Sequence, residues 1–166
     1  MNEKTYGKIT RTIGSYEYGS KMLNILNKVT TSIVYLIYPV FLLILTVKRD
    51  IRFWRVLFIP GISFILVSIF RSYINVPRPY EVFDVVPIIS KDTKGKSFPS
   101  RHVFSVFVIA MTLYYISIPI GISLMLIGII VGIVRVVGGV HFPRDVIAGA
   151  VIGILCAVIG WNLNIF

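Results

Sequence analysis

The stretch VFSVFVIAMTLYYISIPIGISLMLIGIIVGIV, residues 103–134, contains no Asp, Glu, Lys, Arg or His. It is 32 residues long, whereas a helix needs about 20 residues to cross the hydrocarbon core of a bilayer. We therefore predict two membrane spans that turn within residues 117–123, around Pro119 and Gly121. The same reasoning predicts one span in each of three further apolar runs, over 30–47, 56–70 and 146–166. The total is about five.

The composition agrees with a membrane protein. The chain has 166 residues, of which 56% are hydrophobic, and its mean hydropathy is +0.85. The apolar residues occur in blocks instead of the stripes that mark helices of water-soluble domains. We predict an all-α, integral membrane helical bundle that forms a single domain over residues 1–166.

The net charge of +10 indicates the class of partner. Basic residues number 17 against 7 acidic ones, but they lie between the apolar runs and not on a water-soluble face of the kind that binds nucleic acid. Membrane lipids and a phosphorylated lipid substrate are therefore the expected partners, and nucleic acid is not. No early apolar run of the kind found in a cleavable signal peptide precedes the spans.

Two segments outside the spans stand out. Residues 1–28 carry five cations among apolar residues at partly helical spacing, which fits either an interfacial amphipathic helix or a solvated tail. Residues 71–101 form the longest polar stretch, which includes the basic run KDTKGK at 91–96. So long a loop in so small a protein predicts an active-site loop.

With five spans, three segments share one face of the membrane: RSYINVPRP at 71–79, FPSRH at 98–102 and RVVGGVHFPRD at 135–145. Together they hold five arginines, both histidines of the chain, two serines and an aspartate. Ionisable residues are costly at a bilayer, so such a cluster predicts a functional site.

The residue types suit phosphate chemistry. Arg71, Arg78 and Arg135 end spans, and a guanidinium binds oxyanions in bidentate fashion while it keeps its charge. Three fixed positive charges can hold a phosphate group without a metal or other cofactor. An isolated arginine at a span end is more often a headgroup anchor, but the co-occurrence of these residues with both histidines favours a site.

The two histidines have distinct candidate roles. Asp145 lies about one helical turn beyond His141 if the last helix begins near Pro143, and can bond one ring nitrogen while the other acts as a nucleophile. His102 begins the third span, where a protonated imidazole can act as a general acid. The hydroxyl group of Ser100 and the free N–H groups of that helix start can bind phosphate.

These segments resemble the type 2 phosphatidic acid phosphatase family. The family pattern is K-x6-R-P, then P-S-G-H, then S-R-x5-H-x3-D, and the chain matches it over residues 71–145 in order and spacing. Three positions differ: Arg71 replaces the lysine, Arg101 the glycine and Val134 the serine. Family members commonly have six spans, so we expect this chain to lack the first and residues 1–28 to take its place.

The resemblance implies roles for these residues. His141 forms a phosphohistidine, Asp145 orients it, and His102 protonates the leaving oxygen and then activates water. Arg71, Arg78, Ser100 and Arg135 hold the phosphate without a metal. Arg101 either contacts a phosphate or faces lipid headgroups, and is included among the candidate phosphate-binding residues.

The resemblance also bears on substrate and location. Family members of this size act on lipid phosphates, which include undecaprenyl diphosphate, phosphatidic acid and phosphatidylglycerol phosphate. Arg101 and the basic run 91–96 favour a diphosphate headgroup, and among these lipids we expect undecaprenyl diphosphate. The family implies a site on the outer face of the bacterial plasma membrane, whereas the excess of Lys and Arg on the site face favours the cytoplasm. We expect the outer face.

Overall fold

Every regular element of this computed structural model, which describes residues 3–83, 85–89 and 93–163, is a helix. The prediction of an all-α fold is therefore confirmed. The helices in chain order are α1 (Glu3–Gly14), α2 (Glu17–Val47), α3 (Phe53–Ile74), α4 (Pro79–Val82), α5 (Arg101–Tyr114), α6 (Ile118–Val137) and α7 (Pro143–Asn162).

Within the described ranges, four helical segments are long and apolar enough to cross a membrane: Tyr18–Val47, Phe53–Val82, Ile118–Val137 and Pro143–Asn162. The chain is thus an integral membrane protein. The remaining predicted span, α5, has 14 residues, a length of about 21 Å, and so is shorter than the bilayer core. It packs against α3, α6 and α7 and buries Phe104 and Leu113 completely. α5 is therefore the central helix of the bundle.

The turn within the charge-free stretch lies slightly earlier than predicted. α5 ends at Tyr114 and α6 begins at Ile118, so Pro119 and Gly121 belong to α6. Proline fits the first turn of a helix because its missing N–H has no partner there in any case. A Cβ on Gly121 would lie 2.5 Å from the Cα of Tyr114, so glycine permits this tight turn.

The N-terminal segment is helical, as one of the two alternatives for residues 1–28 predicted, but it is not a single helix. A separate helix covers only Glu3–Gly14, and residues 17–28 are the first turns of α2. Helix α1 packs one face against the bundle, where Tyr6, Gly7 and Thr10 are buried. The interpretation as a solvated tail is wrong for the described part of this segment.

Close packing of α5 against α7 depends on two glycines. A Cβ on Gly149 would lie 2.7 Å from the carbonyl oxygen of Ser100, and one on Gly153 would lie 2.8 Å from that of Phe104. Small residues let helix backbones approach in membranes. As a result the backbone N–H of Ser100 donates to the carbonyl oxygen of Asp145 at 2.8 Å, which joins two of the motifs.

The polar loop begins at residue 75 and not at residue 71, because Asn75 adopts a left-handed conformation (φ 46°) that ends α3. Arg71 is therefore in the last turn of α3. The loop includes α4, while residues 84 and 90–92, and with them Lys91 of the basic run, lie outside the described part. Residues 164–166 of the predicted last span also lie outside it. The ends of α3 and α6 and the starts of α5 and α7 meet on the loop side.

Candidate active site

A cavity of about 350 Å³ opens where the polar loop meets the helix ends. Five of the eight predicted site residues line it: Arg71, Arg78, Arg101, His102 and His141. The loop contributes residues 93–96, and α3 contributes Ser68 and Ser72. The three motifs, which are distant along the chain, thus meet around one cationic cavity.

His141 is held from behind by Asp145. Its side chain is 1% exposed, and its Nδ1 lies 3.7 Å from Oδ2 of the fully buried Asp145. As predicted, α7 begins at Pro143, which places the carboxylate one turn beyond the imidazole. With the carboxylate next to Nδ1, Nε2 is the nitrogen available to the cavity.

Two further groups fix the carboxylate of Asp145. The hydroxyl of Ser97 donates to Oδ2 at 2.5 Å, and the backbone N–H of Phe142 donates to the same oxygen at 3.0 Å. The Ser97 oxygen also lies 3.4 Å from Nδ1 of His141. Ser97, His141 and Asp145 therefore form one buried polar cluster. Ser97 was missed by the sequence reasoning, although it lies three residues before Ser100.

Burial lowers the pKa of His141 from 6.5 to about 4. The nearby carboxylate of Asp145 acts in the opposite direction and raises this pKa, whereas the positive charges of Arg78 and Arg71 lower it further. The imidazole is thus neutral near pH 7 and has a lone pair for nucleophilic attack.

Arg71 and Arg78 bind the loop as well as facing the cavity. Both guanidinium groups are buried, and both donate to the carbonyl oxygen of Lys96. Arg71 also reaches the carbonyl of Ser97 at 3.4 Å, and Arg78 reaches those of Gly95 at 2.9 Å and Val140 at 3.1 Å. A guanidinium has five N–H donors, so each arginine has more donors than these bonds use.

The loop itself is held by side chains that the motifs do not include. Both carboxylate oxygens of Glu81 accept from the backbone N–H of Gly95, at 3.0 and 2.8 Å, and Oε2 also accepts from that of Arg78. Asn75 accepts from the N–H of Lys96 at 3.2 Å. Gly95 has a φ of +62°, and a Cβ there would lie 2.2 Å from Oδ1 of Asn75. Glycine is therefore required at this position.

Ser100 and Arg135 lie beside the cavity and not in its lining. Ser100 precedes α5, and its fully buried hydroxyl has no hydrogen-bond partner among the residues that the structure describes. Arg135 is 4% exposed, and its Nε also lacks a partner among the described residues. It lines a second cavity, and His102 is the described residue that this cavity shares with the first. Unsatisfied buried donors are costly, so both atoms are positioned to receive a ligand.

The two remaining arginines of the motifs are exposed. Arg101 lies at the cavity with its guanidinium 5.5 Å from the ring centroid of Phe64. Arg144 stacks over Phe142, and its Nε lies 3.6 Å from Oδ1 of Asp145. Arg101 can thus meet a group that enters the cavity, whereas Arg144 supports Asp145 from the solvent side.

Helix α1 covers the back of the site. The hydroxyl of Tyr6, which is 1% exposed, donates to the carbonyl oxygen of His141. The Tyr6 ring makes an edge contact with Phe142 at 5.9 Å and a tilted contact with Phe83 at 6.2 Å. Burial raises the pKa of this phenol, so it stays protonated as a donor. No local sequence signal predicts a contact over 135 residues.

Three comparisons with known proteins relate these features to other chains. The family model described as PAP2 superfamily matches residues 52–164. The bacitracin transport permease protein BcrC of Bacillus licheniformis is 31% identical over 101 residues, which are 58% of this chain and 50% of that protein. The chain thus spans about half the length of this curated relative.

Two solved structures are also similar. LpxE of Aquifex aeolicus superposes with a TM-score of 0.73 at 26% identity, and the match covers 93% of each chain. A PAP2 type phosphatidylglycerolphosphate phosphatase from Bacillus subtilis superposes with a TM-score of 0.74 at 19% identity, over 97% of this chain and 85% of that one. The second likeness establishes a shared fold.

Proposed function

We propose, given that this chain belongs to the PAP2 superfamily, that it is a membrane enzyme that hydrolyses the phosphate or diphosphate group of a lipid. One observation carries the proposal: a buried imidazole, His141, faces a cavity that it shares with Arg71, Arg78 and His102. A nucleophile, fixed positive charges and a second imidazole are the parts that metal-independent phosphoryl transfer requires.

In the first step, Nε2 of His141 attacks phosphorus while the bond from phosphorus to the leaving oxygen breaks. Asp145 accepts the Nδ1–H hydrogen bond and stabilises the positive charge that develops on the ring. His102 donates its proton to the leaving oxygen, so the product leaves as a neutral hydroxyl group or a phosphate monoester. A phosphohistidine remains.

In the second step, His102 takes a proton from water, and the resulting hydroxide attacks the phosphohistidine. The N–P bond breaks, inorganic phosphate leaves, and both imidazoles return to their initial states. Arg71 and Arg78 neutralise the non-bridging oxygens throughout, with Ser100 and Arg135 as further donors. The reaction is proposed to need neither a metal nor another cofactor.

Undecaprenyl diphosphate is the substrate that we favour. The cavity rim carries Lys94, Lys96 and Arg101 in addition to the inner arginines, and this positive charge suits a diphosphate better than a monoester. Phosphatidic acid and phosphatidylglycerol phosphate are the alternative substrates. Phosphate release from a panel of lipid mono- and diphosphates will rank these candidates.

The first test concerns the two histidines. We expect His141→Ala to abolish phosphate release and His102→Ala nearly to do so, while Lys48→Ala, at an exposed position on the opposite face, retains wild-type activity. Vanadate, which mimics five-coordinate phosphorus, should inhibit, and EDTA should not. Full activity of the His141 variant would refute the proposal.

A non-catalytic lipid-phosphate binder or transporter is the second candidate, and the permease name of the Bacillus licheniformis relative favours it. Such a protein needs the arginines but neither histidine as a reactive group. Rapid acid-free quenching after addition of substrate labelled in its terminal phosphate separates the two. The enzyme traps label on His141, whereas a binder or transporter forms no covalent adduct.

We place the site on the outer face of a bacterial plasma membrane. The relatives with named sources are bacterial, but the basic residues around the site favour the cytoplasm by the positive-inside rule. Catalysis holds several of these arginines in place irrespective of orientation. Labelling of single cysteines at Lys94 and Arg49, in a variant without Cys156, with an impermeant thiol reagent will distinguish the two orientations.

A further inference from the structure

A second cavity, of about 490 Å³, lies beside the candidate active site between α2, α5 and α6. One wall is a polar face of α2, formed by Asn24, Asn27, Lys28, Thr31, Ser32 and Tyr35. The spacing of three and four residues places these side chains on one side of the helix. Polar residues inside a spanning helix are costly and mark ligand paths, yet none belongs to the three motifs.

Three buried polar atoms of residues that line this cavity have no hydrogen-bond partner within the described part of the chain: Oδ1 of Asn27, Oγ1 of Thr31 and Nε of Arg135. Arg135 is 4% exposed, so its guanidinium is removed from bulk water. Buried groups of this kind are almost always satisfied by protein, water or ligand. The hydroxyl of Thr31 and the guanidinium of Arg135 are hydrogen-bond donors. The side-chain amide of Asn27 presents its NH₂ group in place of Oδ1 when it is rotated by 180°. The cavity is thus prepared for an acceptor-rich ligand.

The charge of the cavity specifies the sign of that ligand. Lys28 lines it from α2 and Arg135 from α6, and none of the described residues that line it is Asp or Glu. A cationic site with several neutral donors and no carboxylate suits a phosphate group.

His102 connects this cavity to the catalytic one, because it lines both. In the proposed reaction His102 protonates the leaving oxygen. The leaving group must therefore lie on the His102 side of the transferred phosphorus, away from His141. That direction leads into the second cavity.

We propose that the second cavity binds the phosphate that stays on the lipid when the terminal phosphate of a lipid diphosphate is transferred to His141. This inference rests on the proposed function and adds a subsite for the leaving group. The bridging P–O bond breaks, the N–P bond to His141 forms, and the proton of His102 goes to the bridging oxygen. The product is a lipid monophosphate whose phosphate is bound by Lys28 and Thr31, while the nearby charge of Arg135 stabilises both phosphate groups.

The test compares farnesyl diphosphate with farnesyl monophosphate, which share one apolar chain, in detergent without anionic lipid. Lys28→Met and Thr31→Val should lower kcat/KM for the diphosphate about tenfold, the effect of losing one hydrogen bond to a charged group. The value for the monophosphate should change less than about twofold, because a surface change away from the transferred phosphorus costs little. Lys21→Met, also on α2 but outside the cavity lining, should leave both values unchanged.

Inhibition of monophosphate hydrolysis gives an independent measure of binding. Inorganic pyrophosphate can occupy both phosphate sites, whereas orthophosphate occupies only one. Lys28→Met should raise the inhibition constant of pyrophosphate about tenfold and leave that of orthophosphate unchanged. Unchanged inhibition by pyrophosphate would overturn the inference.

The remaining outcomes separate the inference from the proposed function. If the variants lose kcat/KM equally for both farnesyl substrates, or if the wild-type protein hydrolyses only the monophosphate, the subsite is refuted. The protein is still a lipid phosphatase in either case. If Lys28→Met changes kcat/KM only after phosphatidylglycerol is added, the cavity binds a membrane lipid headgroup, and the leaving-group subsite is again refuted. Phosphate release from neither substrate contradicts the proposed function itself.

Discussion

Replacement of Ser97 by alanine tests whether Asp145 acts on His141 as the geometry indicates. The Ser97 hydroxyl is fully buried and donates to Oδ2 of Asp145 at 2.5 Å, the oxygen that lies 3.7 Å from Nδ1 of His141. After Ser97→Ala, the backbone N–H of Phe142 is the one donor that the described residues still place within hydrogen-bond distance of that oxygen. The carboxylate is then less firmly held behind the nucleophile.

The size of the effect follows from the type of bond. A hydrogen bond to a charged group contributes about 1.5–3 kcal/mol, which corresponds to about a 10- to 150-fold change in rate at 1.36 kcal/mol per factor of ten. Ser97 does not line the catalytic cavity, so its loss should not change direct contacts with substrate. We therefore expect kcat to fall by this factor and KM to stay within about twofold.

The assay is steady-state phosphate release from farnesyl diphosphate by purified protein in detergent. Ser105→Ala is the matched control, because that hydroxyl donates only within its own helix, to the carbonyl of Arg101 at 2.9 Å. The control should retain wild-type kcat. A Ser97→Ala enzyme with unchanged kcat, or one in which only KM rises, would refute the positioning role of the serine and carboxylate pair.

Three further predictions concern packing, the N-terminal helix and pH. Gly149→Ala should lower kcat at least about tenfold, because its Cβ would lie 2.7 Å from the Ser100 carbonyl oxygen and must displace α5. Gly61→Ala is the control and should retain wild-type kcat, since its Cβ would meet no heavy atom of the described residues within 4 Å. Equal kcat values for the two variants would contradict the packing explanation. Tyr6→Phe should lower the free energy of unfolding by about 1 kcal/mol, measured as a lower Tm, because the carbonyl of His141 loses its phenol donor; the exposed Tyr18→Phe is the control. Thermal stability in detergent should rise from about pH 4 to 6.5 and then level off, because the pKa of His141 is 6.5 in the unfolded chain and about 4 in the folded chain. His141→Gln should flatten this rise. A pH profile that is the same in the wild type and in this variant would argue against the lowered pKa.

The motifs predicted much of the candidate site because the chemistry of phosphate restricts the residue types. The resemblance to type 2 phosphatidic acid phosphatases is confirmed by the family match over residues 52–164, and five of the eight residues named from the sequence surround one cavity. Their individual roles stay predictions. Arg135 was expected beside the others, but it lines a neighbouring cavity together with His102 and residues of α2.

The sequence by itself determined the environment and the chemical class of this protein. Charge-free runs such as 103–134 can be stable only when lipid or protein surrounds them, and arginines with paired histidines at their ends suit a phosphate. These properties depend on residue type and local spacing, which are readable along the chain.

Only the tertiary structure decided which side chains meet. The contact of Tyr6 with His141, the hold of Ser97 on Asp145 and the polar face of α2 beside Arg135 all join distant segments. Helix α5 is shorter than the bilayer core, and only the structure shows that α3, α6 and α7 pack around it. Such contacts arise from how helices pack, where two glycines of α7 set the approach of α5, and no local pattern records that geometry.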